Sequence, residues 1–391
     1  MRVEVHSLGC RLNLAESEQL RGLLADADDL VVINSCAVTA EAVRQTRQAI
    51  RKARRARPDA RLLVTGCAAE VERAQIAAMP EVDGLIANAA KLDPRAWNLP
   101  ASTPAPRLRG YTRAFVQVQN GCDHACTFCV IPQGRGPSRS RPIADVLADV
   151  AMHADAGVGE VVLTGVDLTS WGPDLSGSPR LGDLCEAILL QFGSLSRLRL
   201  SSVDGAEVDG ALLALLGTEK RMMPHLHLSL QSGDNMILKR MKRRHTRGDA
   251  IALVERLRAA RPELSVGADL IAGFPTETDA MHASSLSIIE ALHIVHGHVF
   301  PYSSRPGTPA ARMPQVAADV ARTRASALRQ AVAAQRDHWL KSLIGADLSV
   351  LVERGGTGHS PEFAPVRLPA NTARGTVVSV TPARVVEGML E

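Results

Sequence analysis

Three apolar runs near the start of the chain each end on a cysteine: RVEVHSLGC, DLVVINSC and ARLLVTGC. Segments of helical pattern, around residues 15–25 and 39–57, separate them. A strand–helix–strand–helix–strand series implies a parallel sheet, because parallel neighbours are joined by a long crossover and not by a tight turn. In such a sheet the carboxyl ends of all strands lie on one edge, where open α/β folds bind ligands. Cys10, Cys36 and Cys67 stand at that edge, so three thiols distant in sequence are expected to converge. One buried strand-end cysteine alone reads as a packing residue; three in equivalent places read as a site.

At 391 residues the chain is too long for one ordinary core. The stretch LDPRAWNLPASTPAPRLRG (92–110) is rich in Pro, Ala and Ser and reads as a linker. Strand-like and helix-like segments then alternate again. Strands are expected at 114–119, 160–165, 197–203, 225–231, 265–274 and 293–300, with helices between them that include 143–156 and 249–260. Six βα units predict a partial or complete parallel barrel whose site lies at the strands' carboxyl ends. A long helix is expected over 315–340. After it, short β-rich runs divided by Gly and Pro predict a small antiparallel barrel of OB-like type.

Immediately after the first strand of the second series comes NGCDHACTFCVIPQGRG, with Cys122, Cys126 and Cys129 spaced C-x3-C-x2-C. No fourth cysteine follows until Cys185, which sits on the apolar stripe of a helical pattern and reads as core. A tetrahedral metal site wants four ligands. Three thiolates can instead hold three irons of a 4Fe–4S cube and leave the fourth iron open to the amino and carboxylate groups of S-adenosylmethionine, placing its sulfonium for reductive cleavage to a 5′-deoxyadenosyl radical. Phe128, just before the third cysteine, suits an apolar contact with the adenine. Zinc completed by His124 is the competing reading of the same loop. The histidines of HLHLSLQ and HIVHGHVF read as ordinary strand residues.

The loop resembles that of the radical S-adenosylmethionine superfamily. Together with SLGC, INSC and TGC before it and GRGPSRSRP after it, the whole chain resembles the methylthiotransferases. LGCRLNLAESE, INSCAVTAEA, LHLSLQSGDNMILKRMKRRHTR and HVFPYSSRPGTPAARM look closest to the branch acting on tRNA N6-threonylcarbamoyladenosine. Gln133 and Trp171 stand where that pattern commonly has Tyr. The resemblance implies three domains: an N-terminal flavodoxin-like parallel-sheet domain (1–100) with an auxiliary cluster, a radical-SAM domain (111–340) with a partial (β/α)6 barrel, and a TRAM-like RNA-binding barrel (341–391). It implies two 4Fe–4S clusters, one on Cys122, Cys126 and Cys129 and one on Cys10, Cys36 and Cys67, with no catalytic residue beyond those ligands. S-adenosylmethionine would supply both the radical and the methyl group, and the radical would act at C2 of the adenine. An unactivated aromatic C–H offers no acidic proton to a general base, which is why a radical is required. Thr164, Gly165, Gln231, Ser232 and Gly273, at or just past strand ends, are the further candidates for S-adenosylmethionine contact. The implied partners are tRNA, an electron donor such as a flavodoxin-type reductant, and a sulfur donor.

The balance of 45 basic to 41 acidic residues is only mildly positive, so a nucleic-acid surface must come from clustering. Arg44, Arg47, Arg51, Arg54 and Arg55 share one face of a helical stretch without acidic residues. KRMKRRHTR supplies Lys239, Arg240, Lys242, Arg243 and Arg244, and Arg135, Arg139 and Arg141 follow the cysteine loop. The charges of the terminal segment from Lys341 onward balance, which favours recognition by shape over bulk field. Few aromatic residues argue against a base-stacking platform. No apolar run approaches a membrane span and the start does not read as a signal peptide. A cytoplasmic, reducing location without membrane association is therefore expected, where cysteines serve as ligands more than as disulfides. The alternatives are the same chemistry on N6-isopentenyladenosine or on a ribosomal-protein aspartate, and a zinc-containing, non-catalytic RNA-binding protein.

Overall fold

A computed structural model describes residues 3–100 and 112–391. Two compact units emerge. The first comprises the described residues of Met1–Arg109, Gln119–Arg139 and Ser303–Ala311; the second those of Gly110–Val118, Ser140–Tyr302 and Arg312–Glu391.

The first unit is built on a parallel sheet of β1 (Glu4–Ser7), β2 (Leu30–Ser35), β3 (Arg61–Gly66) and β4 (Gly84–Leu85), in that order. The expected parallel sheet is present; its strand order is sequential, where a flavodoxin-like sheet doubles back. α1 (Arg11–Leu23) and α2 (Ala40–Ala56) cover opposite faces. The alternation along the strands explains this. Val31, Ile33, Leu62 and Val64 pack with Val43, Ile50 and Ala53 of α2, while Val5, Val32 and Leu63 pack with Leu20 of α1 and Leu24 just past its end. The start of the expected linker is not loose. Asp93 caps a short 3-10 turn, Pro94–Trp97, and the buried Trp97 joins the α1 core with its Nε1 donating to the Lys91 carbonyl at 2.8 Å. Apolar area outweighed the Pro/Ala composition there. Residues 101–110 of the expected linker lie outside the described residues.

In the second unit all six expected strands form: Arg113–Gln117, Glu160–Thr164, Leu198–Leu200 continuing as Ser202–Val203, His225–Gln231, Ser265–Ala272 and Ile294–Pro301. Every neighbouring pair is parallel, with a break at Ser201 dividing the series into two sheets. Helices lie between, including Ile143–Asp155 and Arg247–Ala260, and the long helix runs Ala318–Ser342. Outward residues such as Leu226, Leu228, Val266, Ala268 and Leu270 share one large core with the helices, Cys185 included.

The terminal segment folds as a six-stranded sheet. One pair departs from the expected antiparallel barrel: Pro365–Arg367 and Met389–Leu390 run parallel. The sheet packs on the amino ends of the barrel strands, with Arg197 donating to the Ser349 carbonyl at 2.7 Å and Ser265 Oγ to the Glu362 carbonyl at 2.6 Å. Phe363 lies under the guanidiniums of Arg113 and Arg199, 4.9 and 4.8 Å from their central carbons. The opposite, carboxyl edge carries the strand-end candidates.

Candidate metal centre

Cys10 caps the start of α1, Cys36 directly follows β2 and Cys67 opens α3 (Cys67–Val71) directly after β3. The chain is bent tightly to bring them together. Gly9 has φ +86°, and a Cβ there would lie 2.6 Å from Cys36 Cβ and 2.7 Å from its Sγ. Gly66 has φ +90°, and a Cβ there would strike the Ser35 backbone at 2.5 Å. Both positions need glycine for the same two reasons, left-handed backbone and close approach. Cys36 and Cys67 are buried, whereas Cys10 is exposed, so the group has one open side. Burial pushes the Cys36 thiol up to about 11; Cys67 and Cys10 push the same way, and Arg135 opposes them.

The second cysteine group belongs to the same compact unit. Cys122, Cys126 and Cys129 lie on an irregular loop with no regular secondary structure between Asn120 and Ile131. Gly121, φ +76°, could not carry a Cβ, which would sit 1.8 Å from the Pro137 carbonyl oxygen. Backbone bonds close the loop: Cys122 N donates to Gly136 O at 3.1 Å and Cys129 N to Cys126 O at 3.2 Å. Ala310 N donates to Thr127 O at 2.9 Å, fastening the loop to a short segment from far downstream.

A short helix, Ile131–Arg135, then leads back to the N-terminal cysteines. Gly134 packs so close that a Cβ there would be 3.2 Å from Cys67 Cβ, and its carbonyl accepts from Asn88 Nδ2 at 2.6 Å. Arg135 is buried. Its NH1 meets Glu16 Oε1 at 2.8 Å, and its NH2 meets Glu16 Oε2 at 3.1 Å and Asn13 Oδ1 at 2.5 Å. Lys91 Nζ reaches Glu16 Oε2 at 2.5 Å. Burial would raise the Glu16 carboxyl, but the two cations hold it below its ordinary value.

This corrects the RNA-contact expectation for Arg135, whose guanidinium is spent on a buried carboxylate. Arg243 is likewise turned inward, onto Asp204 Oδ2 at 3.0 Å and the Ser229 carbonyl at 2.8 Å. The α2 arginines are largely neutralised: Arg44 by Glu41, Arg47 by Glu72, Arg51 by Glu81 and Arg54 by Asp83. Glu41, Glu72, Glu81 and Asp83 all lie outside the acid-free stretch 42–57. Arg141 pairs with Asp149 at 2.6 Å, Arg240 donates to Thr276 Oγ1 at 2.8 Å and Arg244 pairs with Glu207 at 2.6 Å. Arg139, Lys239 and Lys242 are exposed.

The strand-end candidates divide. Thr164 ends its strand, its carbonyl taken by Val118 N at 3.0 Å, and Gly165 follows it. Gln231 ends its strand with φ +72°, a costly left-handed conformation for a side-chain-bearing residue and one that cofactor sites commonly retain. Phe128 is half-buried in the loop. Ser232, however, is fully buried with its Oγ 3.2 Å from Ser285 Oγ, so its side chain serves packing. Gly273, φ +70°, is needed for a different approach than expected: a Cβ there would stand 2.4 Å from Ala321 Cβ of the long helix.

Sequence reasoning missed the inward-facing polar residues of the barrel. Asp269 Oδ1 lies 3.2 Å from His227 Nε2 and 3.1 Å from His298 Nδ1, so two of the strand histidines share one carboxylate. The signal available was their period of two, which sets His225, His227 and Gln231 on the face opposite the leucines. Glu160 is another: fully buried, it binds Arg199 at 2.7 Å and Arg113 at 2.9 Å.

The donor sets fit iron–sulfur clusters: two groups of three thiols, the N-terminal one open on one side and flanked by buried cations that suit an anionic cluster–thiolate unit. Family models agree. The Radical SAM superfamily matches residues 116–287, and the family described as uncharacterized protein family UPF0004 matches residues 2–87. The chain is 43% identical to the threonylcarbamoyladenosine tRNA methylthiotransferase MtaB of Rickettsia prowazekii, across all of this chain and 97% of that protein. Identity to the Chlamydia pneumoniae protein of the same name is 35%, across 97% and 95%. It is 34% to the tRNA-2-methylthio-N(6)-dimethylallyladenosine synthase of Cereibacter sphaeroides, across 90% and 87%. Among solved structures, the fold matches the radical S-adenosylmethionine methyltransferase TsrM of Kitasatospora setae with a TM-score of 0.56 at 16% identity, covering 80% of this chain and 75% of that one. With a full-length relative at this identity and both cysteine groups in place, the chain belongs to the radical S-adenosylmethionine methylthiotransferase family.

Proposed function

We propose that this enzyme inserts a methylthio group at C2 of N6-threonylcarbamoyladenosine beside the anticodon of tRNA. The observation that carries the reading is the end-to-end likeness to a threonylcarbamoyladenosine tRNA methylthiotransferase, in a chain whose six strand-end and loop cysteines belong to one compact unit. The cofactors are two 4Fe–4S clusters and S-adenosylmethionine. Cys122, Cys126 and Cys129 would hold the cluster that serves S-adenosylmethionine, and Cys10, Cys36 and Cys67 would hold the other. Bound there, they supply radical C–H activation and sulfur transfer, chemistry that no side chain provides.

The protein's own part is to bind and orient. The loop bonds around Gly121 and Thr127 fix the cysteine loop, and Phe128 would give the adenine an apolar contact. Thr164, Gly165 and Gln231, at strand ends of the second unit, would be the further contacts for S-adenosylmethionine. Exposed Arg139, Lys239 and Lys242 meet phosphates. The segment 341–391 adds a TRAM-like RNA-binding surface after the N-terminal (1–100) and radical (111–340) domains. A flavodoxin-type reductant and a sulfur donor complete the system, in the cytoplasm; among the described residues no helix is long and apolar enough to cross a membrane.

Nucleoside analysis of tRNA from a deletion strain tests the substrate. Loss of the methylthio derivative of threonylcarbamoyladenosine alone is the expected result. Loss of the dimethylallyl counterpart instead would transfer the assignment to the branch of the 34%-identical relative.

A further inference from the structure

Beside the N-terminal cysteines lies a buried charge group that ligation by itself does not require. Glu16, Lys91 and Arg135 are all buried, and together they carry one surplus positive charge. Their roots differ: Glu16 is on the helix that starts at Cys10, Lys91 follows β4, and Arg135 ends the short helix after the second cysteine group. Arg135 also grips Asn13, whose Nδ2 donates to Leu8 O at 2.7 Å and Ser35 O at 2.9 Å, the carbonyls just ahead of Gly9–Cys10 and Cys36. Lys91 touches Asn34 Oδ1 at 3.3 Å, two residues before Cys36. Gly134 lies against Cys67. The surplus charge is thus fixed to the backbone beside each of the three thiols.

Resting on the reading that Cys10, Cys36 and Cys67 hold an iron–sulfur cluster, we infer that Arg135, Lys91 and Glu16 set that cluster's reduction potential, with Arg135 also tying the second cysteine loop to it. Reduction adds one negative charge to the cluster. A fixed cation in a low-dielectric surround favours the reduced form, and a fixed carboxylate disfavours it. Arg135 and Lys91 are positioning residues here, acting through charge on a group they do not ligate.

The test uses the full chain with Cys122, Cys126 and Cys129 changed to Ala and reconstituted anaerobically, so that only the N-terminal cluster loads. Iron is counted, and the reduced cluster is followed by electron paramagnetic resonance during a redox titration. Arg135→Gln and Lys91→Gln are each expected to lower the reduced-to-oxidised ratio at fixed potential by about tenfold, equivalent to about 59 mV for one electron. Glu16→Gln is expected to raise it, and Arg135→Lys to stay within about threefold of the parent, the charge being kept. A loaded cluster, with about four irons per chain, whose ratio is unmoved, or moves the same way in all three charge variants, overturns the inference. Should Arg135→Gln fail to fold, the opposite signs expected of Lys91→Gln and Glu16→Gln decide it. A parent that loads no iron overturns the ligand reading itself, an outcome distinct from a loaded cluster with unchanged potential.

Discussion

At the residue scale, composition and burial give different answers for the same side chain. Arg135 and Arg243 look like members of basic patches in the sequence, yet both end inside, on Glu16 and on Asp204. Glu160 shows the energetic stake in such pairs. Burial alone would raise its carboxyl, but Arg199 and Arg113 hold it down at about 2. Its folded value is depressed, so the stabilisation is complete above its ordinary 4.5 and is lost as pH falls through about 2. Changing Glu160→Gln leaves two guanidiniums facing each other in the barrel floor and should cost about 3 kcal/mol or more. A lowered urea midpoint at neutral pH, with the difference from the parent shrinking as pH falls toward 2, is the expected outcome. An unchanged midpoint would falsify the assignment of that pair as a structural element.

At the element scale, two glycines separate the cysteine groups experimentally. Gly121→Ala would push a Cβ into the Pro137 carbonyl and open the loop of Cys122, Cys126 and Cys129. Gly9→Ala would drive one into Cys36. Each is expected to halve the iron content, from about eight to about four per chain. The first should also abolish 5′-deoxyadenosine formation, whereas the second should spare part of it and remove methylthiolated product. Iron analysis and chromatography of the cleavage product check both. The elements themselves were legible because their periods are unambiguous: all six barrel strands and the helices Ala40–Ala56, Ile143–Asp155 and Ala318–Ser342 fall within a few residues of expectation. What was not legible was pairing. The parallel neighbour of Pro365–Arg367 in the terminal sheet, and the docking of Trp97 within a Pro- and Ala-rich stretch, depend on contacts with residues distant in sequence.

At the scale of the whole molecule, most of the basic clusters are paired with acids, so RNA affinity should depend on fewer cations than the sequence offers. Changing Lys239 and Lys242 to Gln is expected to weaken tRNA binding and to reduce the slope of log K against log salt by about 2. Changing Arg243→Gln should leave that slope alone while lowering stability. Filter binding at several salt concentrations distinguishes them, and a slope that falls with Arg243 but not with the two lysines would place the phosphate path elsewhere. The division between sequence and structure follows one physical line. Local order, strand ends and the C-x3-C-x2-C spacing are short-range properties, so the sequence alone determined the βα series, the two cysteine triads and the cofactor class they suit. Which charges are buried, which glycine yields to which neighbour, and that Arg135 reaches Glu16 across more than a hundred residues were decided only by tertiary packing, since burial and charge pairing depend on what the rest of the chain brings alongside.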